Sequence, residues 1–302
     1  MEDMITGLCP QCGHTLHIPA ELASFSCMYC GARLTKEQLA AEPPAAQEAD
    51  EDRAAYYDRA VSRLGWCIKN FGGYQKKIMR DVFFEAFETY ETGCAPVIQE
   101  LARGVAPERQ TQLLGRAAAA MLDELEAGWQ KKGDMEDEKI VLAIFFVPMV
   151  RKQQLPISEE FVTILQKQWV ERYPKSPFYL GDYESISGGF RKKFLGLCFI
   201  TTAVCQELGK PDDCEELTAF RAFRDGYLRS QPDGEALIRE YYNIAPGIVT
   251  CINTCSDRHA SYARIREEYL APCYQDLLAG RNESCKARYV RMVRDLEREY
   301  LS

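Results

Sequence analysis

Two Cys-x2-Cys pairs stand near the start of the chain, Cys9-Pro10-Gln11-Cys12 and Cys27-Met28-Tyr29-Cys30, fourteen residues apart and each followed directly by a glycine, Gly13 and Gly31. Two intervening residues let one tight turn present both thiolates while its backbone amides point at the sulfurs. Two such turns supply the four soft donors that Zn²⁺ takes in a tetrahedron. Residues 1–36 therefore read as a small β zinc ribbon in which Cys9, Cys12, Cys27 and Cys30 bind one structural Zn²⁺, with HTLHIP and SFSC as short strands. A unit this small has almost no core, so the metal supplies much of its folding free energy. Four cysteines fill the shell and leave no open position for water, which argues against a catalytic zinc and places His14 and His17 outside the ligand set. The competing reading is a set of unmetallated or redox-active cysteines.

The segment 37–52, EQLAAEPPAAQEADED, has no large apolar residue after Leu39. It cannot bury enough surface to offset its ordering entropy and reads as an acidic Ala/Pro linker, stiffened at Pro43-Pro44. From Arg53 onward the apolar spacing is helical. Tyr57, Val61, Leu64, Ile68 and Phe71 share one face, as do Leu114, Ala118, Met121, Leu125 and Trp129, and again Phe161, Leu165, Trp169 and Tyr173. Ser158 is the expected N-cap after Leu155-Pro156. Residues 174–189, with two prolines and three glycines, suggest a loop or a boundary. Further on, Gly209 should end one helix in a left-handed cap, and Asp213 with Glu216 should start the next with a capping box. The fold class is mainly α: a ribbon at 1–36, a linker at 37–52, a helical region at 53–173 and another at 174–302, the last two separate or packed as one domain.

With 302 residues and 46% hydrophobic content the chain can bury a real core, while its net charge of -8 and scattered Lys and Arg give no field for nucleic acid or anionic lipid. The ribbon carries only Arg33 and Lys36 against three acids, and 37–52 adds six more acids, a poor footprint for phosphate. Met1 to Gly7 has no apolar stretch of the secretory kind, so a cytoplasmic location is expected. The apolar run 140–150 lies between Lys139 and Arg151 and contains Pro148; it is too short to span a bilayer and reads as a buried helix. Of thirteen cysteines, nine remain outside the ribbon, an odd number that a reducing compartment would keep mostly as thiols.

Three spaced blocks carry a family resemblance. Cys198, Phe199, Ile200, Thr202 and Ala203 are followed by Phe223, Arg224 and Asp225, then by Tyr241, Tyr242, Ala245 and Pro246. This order resembles the CFI-box (Cys-Phe-Ile) family of bacterial C-terminal domains, and its pairing with an N-terminal ribbon resembles a group of uncharacterised bacterial zinc-ribbon proteins. The resemblance covers about a fifth of the chain and implies no established activity. Physically, Arg221 and Asp225 are spaced to pair along one helix face, with Leu217, Phe220, Phe223 and Tyr227 turned into a core. Arg224, Asp225, Tyr241 and Tyr242 read either as a buried polar clamp across three helices or as a ligand pocket.

A thiol enzyme needs a base or positive charge beside its sulfur. His259 is the one histidine outside the ribbon, and Cys251, Cys255 and His259 fall at i, i+4, i+8, one stripe if their helix continues. Cys198 and Cys255 are the candidate nucleophiles, with His259 as the candidate base; buried, inert thiols are the other reading. Arg288, Arg291, Arg294 and Arg298 line one side of the last helix, either as a docking stripe or as a solvated face mixed with Asp295, Glu297 and Glu299. Three roles follow: a scaffold or protein-interaction protein, a Cys-His enzyme, and a nucleic-acid-associated factor reading through the ribbon. The first fits the charge and motif pattern best.

Overall fold

The computed structural model describes residues 4–11, 15–28, 30–39, 45–191 and 198–302. The chain divides into two compact units, Met1–Ala55 and Tyr56–Ser302. The first holds two antiparallel hairpins. β1 (Met4–Leu8) pairs with β2 (Thr15–Pro19), setting Ile5 opposite Ile18, and β3 (Ser24–Ser26) pairs with β4 (Arg33–Thr35), setting Phe25 opposite Leu34. Cys9, Leu16, Ile18, Cys27 and Leu34 form its only buried cluster among the described residues. That cluster holds two thiols in five residues, too little apolar surface to order the hairpins without further support.

Of the segment read as a linker, 37–39 follow β4 around a 3₁₀ turn (Lys36–Gln38), 40–44 lie outside the described residues, and 45–52 are the first turns of helix α1 (Ala45–Leu64). Ala, Gln and Glu are good helix formers, and propensity rather than an apolar face explains a helix there.

The second unit is all helical. After α1 come α2 (Trp66–Lys69), α3 (Phe83–Gly104), α4 (Gln110–Gly128), α5 (Lys132–Val141), α6 (Val147–Lys152), α7 (Ser158–Arg172) and α8 (Tyr183–Arg191). Then follow α9 (Phe199–Glu207), α10 (Glu215–Ala222), α11 (Gly234–Cys255), α12 (Arg258–Ile265), α13 (Ala271–Leu278) and α14 (Asn282–Tyr300). A π-helical turn, Leu142–Phe146, joins α5 to α6 into one run, and every residue of 140–150 is buried in it. α11 is buried on nearly all sides from Ile238 to Cys255 and packs against this run. A helix that is apolar all round belongs in an interior, and these two form the axis of a single hydrophobic core reaching from Ala60 to Leu301. No helix of the described residues is long and apolar enough to cross a membrane.

Several local expectations shift. The face from Tyr57 to Phe71 is buried or half-buried, but it runs over two helices that break at Gly65 and ends in the turn after α2. Ser158 is the first helical residue of α7 instead of its cap; its hydroxyl accepts from the Leu155 amide (3.1 Å) and donates to the Val150 carbonyl (2.8 Å). Residues 183–189, part of the stretch read as a loop, are helical in α8. Gly209 does turn left-handed, with φ +66°. Cys214, not Asp213, caps α10, and Glu216 reaches back to Lys210 Nζ at 2.5 Å.

Candidate functional site

In the N-terminal unit, the chain leaving β1 delivers Cys9 and the β3–β4 hairpin delivers Cys27 and Cys30. The hairpin turn is closed by two backbone bonds of 2.8 Å, from the Gly31 amide to the Cys27 carbonyl and from the Cys27 amide to the Ala32 carbonyl. Gly31 completes it at φ +75°, a left-handed conformation that favours glycine. The sulfurs of Cys9, Cys27 and Cys30 lie within 4.8 Å of one another, with Cys9 Sγ 3.7 Å from Cys30 Sγ. With metal–sulfur bonds of about 2.3 Å, the edge of a regular tetrahedron is about 3.8 Å. The one edge of 3.7 Å is close to that length. Cys12 and His14 lie outside the described residues; His17, on β2, is exposed. These three cysteines are thus positioned to hold a metal ion. Met28, between two of them, is 81% exposed at the tip of the turn.

In the helical unit the motif residues converge at the start of α9. Cys198 caps that helix and is buried, and Arg224 Nη1 lies 3.5 Å from its sulfur. The same nitrogen donates to the Tyr242 hydroxyl at 3.0 Å, while Nε and Nη2 grip the two oxygens of Asp225 at 2.8 and 2.6 Å. The Tyr241 hydroxyl accepts the Ile200 amide at 2.9 Å, satisfying one of the amides that a helix start leaves unpaired. Tyr289 of α14 packs on Tyr241 with ring centroids 5.9 Å apart and meets the Thr201 hydroxyl at 3.3 Å. Four helical segments are tied together here. Burial pushes the Cys198 thiol up, against the opposing pull of Arg224 and Arg221, and burial likewise pushes the Tyr241 hydroxyl well up. Arg224 holds the Asp225 carboxyl below its ordinary value.

The cavity beside this cluster, between Phe220, Phe223, Leu237 and Val293, measures about 60 Å³. That is well below the roughly 150 Å³ of a cavity that admits benzene. Arg221 does not pair with Asp225 as its spacing suggested; it binds Asp212, 2.8 Å away, while Asp225 takes Arg224 and Arg229. Phe223 to Leu228 form a π-helical turn, which opens the four-residue spacing on which that pairing depends.

The Cys251, Cys255, His259 stripe is not formed. α11 ends at Cys255, Ser256 is extended, and His259 sits on α12, 81% exposed, with its Nδ1 against Glu207. Cys255 is buried, and desolvation pushes its thiol up to about 12, with Lys139 opposing. Neither candidate nucleophile therefore has His259 as a base. On α14, Arg288, Arg294 and Arg298 pair with Asp276, Glu240 and Asp295, a solvated face and not a free basic stripe.

Sequence reasoning missed Tyr289, whose approach depends on α14 packing against α11. It also missed Lys139, which is buried with Nζ 2.7 Å from Ser176 Oγ and 2.5 Å from Glu136. The only signal for Lys139 was its place at the edge of the apolar run. No protein-family model matches the chain, and neither a curated protein nor a solved structure matches it.

Proposed function

We propose that this chain is a zinc-ribbon protein-interaction or scaffold protein of the cytoplasm, with Zn²⁺ held by Cys9, Cys12, Cys27 and Cys30 and with a CFI-box region at 198–246. The observation that carries the reading is the cluster of three ribbon sulfurs, with one edge of 3.7 Å, the size a ZnS₄ tetrahedron requires. Cys12, which completes the first Cys-x2-Cys pair with Cys9, supplies the fourth ligand. The bound ion orders the two hairpins and does no chemistry, because four thiolates leave no site for water. What the ordered ribbon presents is Met28, an apolar residue at its tip, with Leu22 43% exposed on the same unit. Such residues suit a protein partner, whereas the acidic ribbon and its acidic continuation repel phosphate.

A Cys-His enzyme is disfavoured by the same geometry. Cys198 is enclosed, burial pushes the thiols of Cys198 and Cys255 up, and His259 faces solvent. An activated thiol needs partial exposure and a depressed pKa.

The test is metal analysis of protein purified without chelator, followed by affinity capture. One zinc per chain is expected, with loss of that zinc in Cys9→Ser/Cys12→Ser and in Cys27→Ser/Cys30→Ser. A partner protein captured by the native chain should be lost from those variants and weakened by Met28→Asp. Absence of zinc, or capture dominated by nuclease-sensitive RNA, overturns the reading.

A further inference from the structure

Outside the ribbon, three pairs of cysteines meet side by side: Cys67 with Cys94, Cys205 with Cys214, and Cys273 with Cys285. Of the cysteines in the helical unit, Cys214 alone is partly exposed, and the other eight are buried. The contact it makes is built by the local fold. Gly209 ends α9 in a left-handed turn, the Lys210 amide returns to the Cys205 carbonyl at 2.9 Å, and the Cys214 amide closes on the Pro211 carbonyl at 3.1 Å. The chain is thereby folded back so that the cap of α10 meets the last turn of α9, with Cys214 Sγ 3.9 Å from Cys205 Sγ.

We propose that Cys205 and Cys214 are a redox-modification site, forming a reversible disulfide when the protein meets a hydroperoxide. Cys214, the reachable sulfur, attacks as the thiolate. Its S–O bond forms as the O–O bond of the peroxide breaks, and the departing hydroxide takes up the proton that the thiol gave, leaving water and a sulfenic acid. Cys205 then displaces hydroxide from that sulfur. The S–S bond forms, the S–O bond breaks, and the Cys205 proton leaves with the hydroxide as a second water. Two thiols lose two electrons and two protons, and one hydrogen peroxide becomes two waters. A dithiol reverses the reaction by exchange. Cys205 is the resolving member because the residue, on α9, is only 2% exposed and burial pushes its thiol up to about 12, so it is protected from direct attack yet in contact with the sulfur that oxidises. The other two pairs have contact without access, and Cys198 has neither a thiol neighbour nor access.

The experiment treats reduced, zinc-loaded, full-length protein with hydrogen peroxide, blocks remaining thiols with N-ethylmaleimide, and digests without reduction using a Glu-specific protease. Cleavage at Glu207 separates the two cysteines, so their linkage is visible by mass spectrometry. The expected product is a Cys205–Cys214 cross-link, removed by dithiothreitol, formed at least tenfold faster than any link within the other two pairs. Cys214→Ser should abolish it. Cys205→Ser should leave a sulfenic acid at position 214 that dimedone traps, and if that variant does not fold, Cys214→Ser with the native kinetics still decides the matter. Cys205 remaining a thiol while Cys214 goes on to sulfinic acid or links two chains, or all three pairs oxidising at one rate, overturns the proposal.

Discussion

Arg224 joins the motif blocks: its fork holds both oxygens of Asp225, and its outer nitrogen reaches Tyr242 and the Cys198 sulfur. Asp225 is about half exposed, so solvent screens that ion pair, and the buried bonds carry the weight. Arg224→Ala should lower stability by about 2–3 kcal/mol, the scale of a lost charged hydrogen bond with a buried partner left behind. Arg224→Lys should recover less than half of it, because an ammonium has no planar fork; urea unfolding of the three proteins checks this, and full rescue by lysine would contradict it. The buried thiols give a pH dependence of known sign. Burial raises Cys255 and Cys205 to about 12 in the folded chain, whereas an unfolded thiol titrates near about 8.5. Their contribution is intact below that value and is lost as pH rises toward 12, because the unfolded state releases its protons first. Stability measured at pH 8 and pH 10.5 should fall, and Cys255→Ala should flatten the slope; a rise over this window would contradict the account. At this scale the grouping of Cys9, Cys27 and Cys30 was legible because the signal, residue type at a short fixed spacing, is local. The partners of Cys198 were not, since they come from helices distant in sequence.

The helices themselves were visible where apolar residues repeat at three and four, as in α4 and α7, whose predicted faces are buried or half-buried. Interruptions were harder to see. The π-helical turns Leu142–Phe146 and Arg266–Leu270 precede Pro148 and Pro272, which have no amide to give the carbonyls of Ile144 and Glu268. The third, Phe223–Leu228, has no proline two residues on as the others do; Pro232 comes only after the helix has ended. That turn moved Asp225 away from Arg221, and the extended Ser256 moved His259 away from Cys255. In each case a single irregular residue or turn overrode a correct periodicity. α11 shows the opposite: its close packing is set by one glycine. A methyl group on Gly247 would fall on the carbonyl oxygen of Ile78, a backbone atom that cannot swing aside. Gly247→Ala should therefore destabilise the helical unit by about 1–3 kcal/mol, although alanine is the better helix former. Thermal unfolding decides it, and an unchanged or raised midpoint would show that the approach is looser than described.

On the scale of the molecule there are two units with two separate apolar clusters, five residues in the ribbon and a long continuous core from Ala60 to Leu301. On the proposed reading their sources of stability differ, the one depending on a bound metal and the other on burial. Chelation at neutral pH should unfold the ribbon and leave the helical circular dichroism and the main unfolding midpoint within about 2 °C of the untreated protein, since about 1 kcal/mol would already move the midpoint of a large domain by roughly 2–4 °C. A shared loss of both would mean that the helical unit also depends on the ion. That a small N-terminal unit precedes a large helical one agrees with the cysteine spacing and the acidic composition after it, although the observed division falls at Ala55. That one core reaches from Ala60 to Leu301 was not readable, because periodicity shows which face is apolar but not what covers it. Zinc K-edge absorption on the native protein tests the central claim most directly: one zinc per chain with a single shell of four sulfurs at about 2.3 Å is the predicted result, and a shell containing nitrogen or oxygen, or no bound zinc at all, would contradict it.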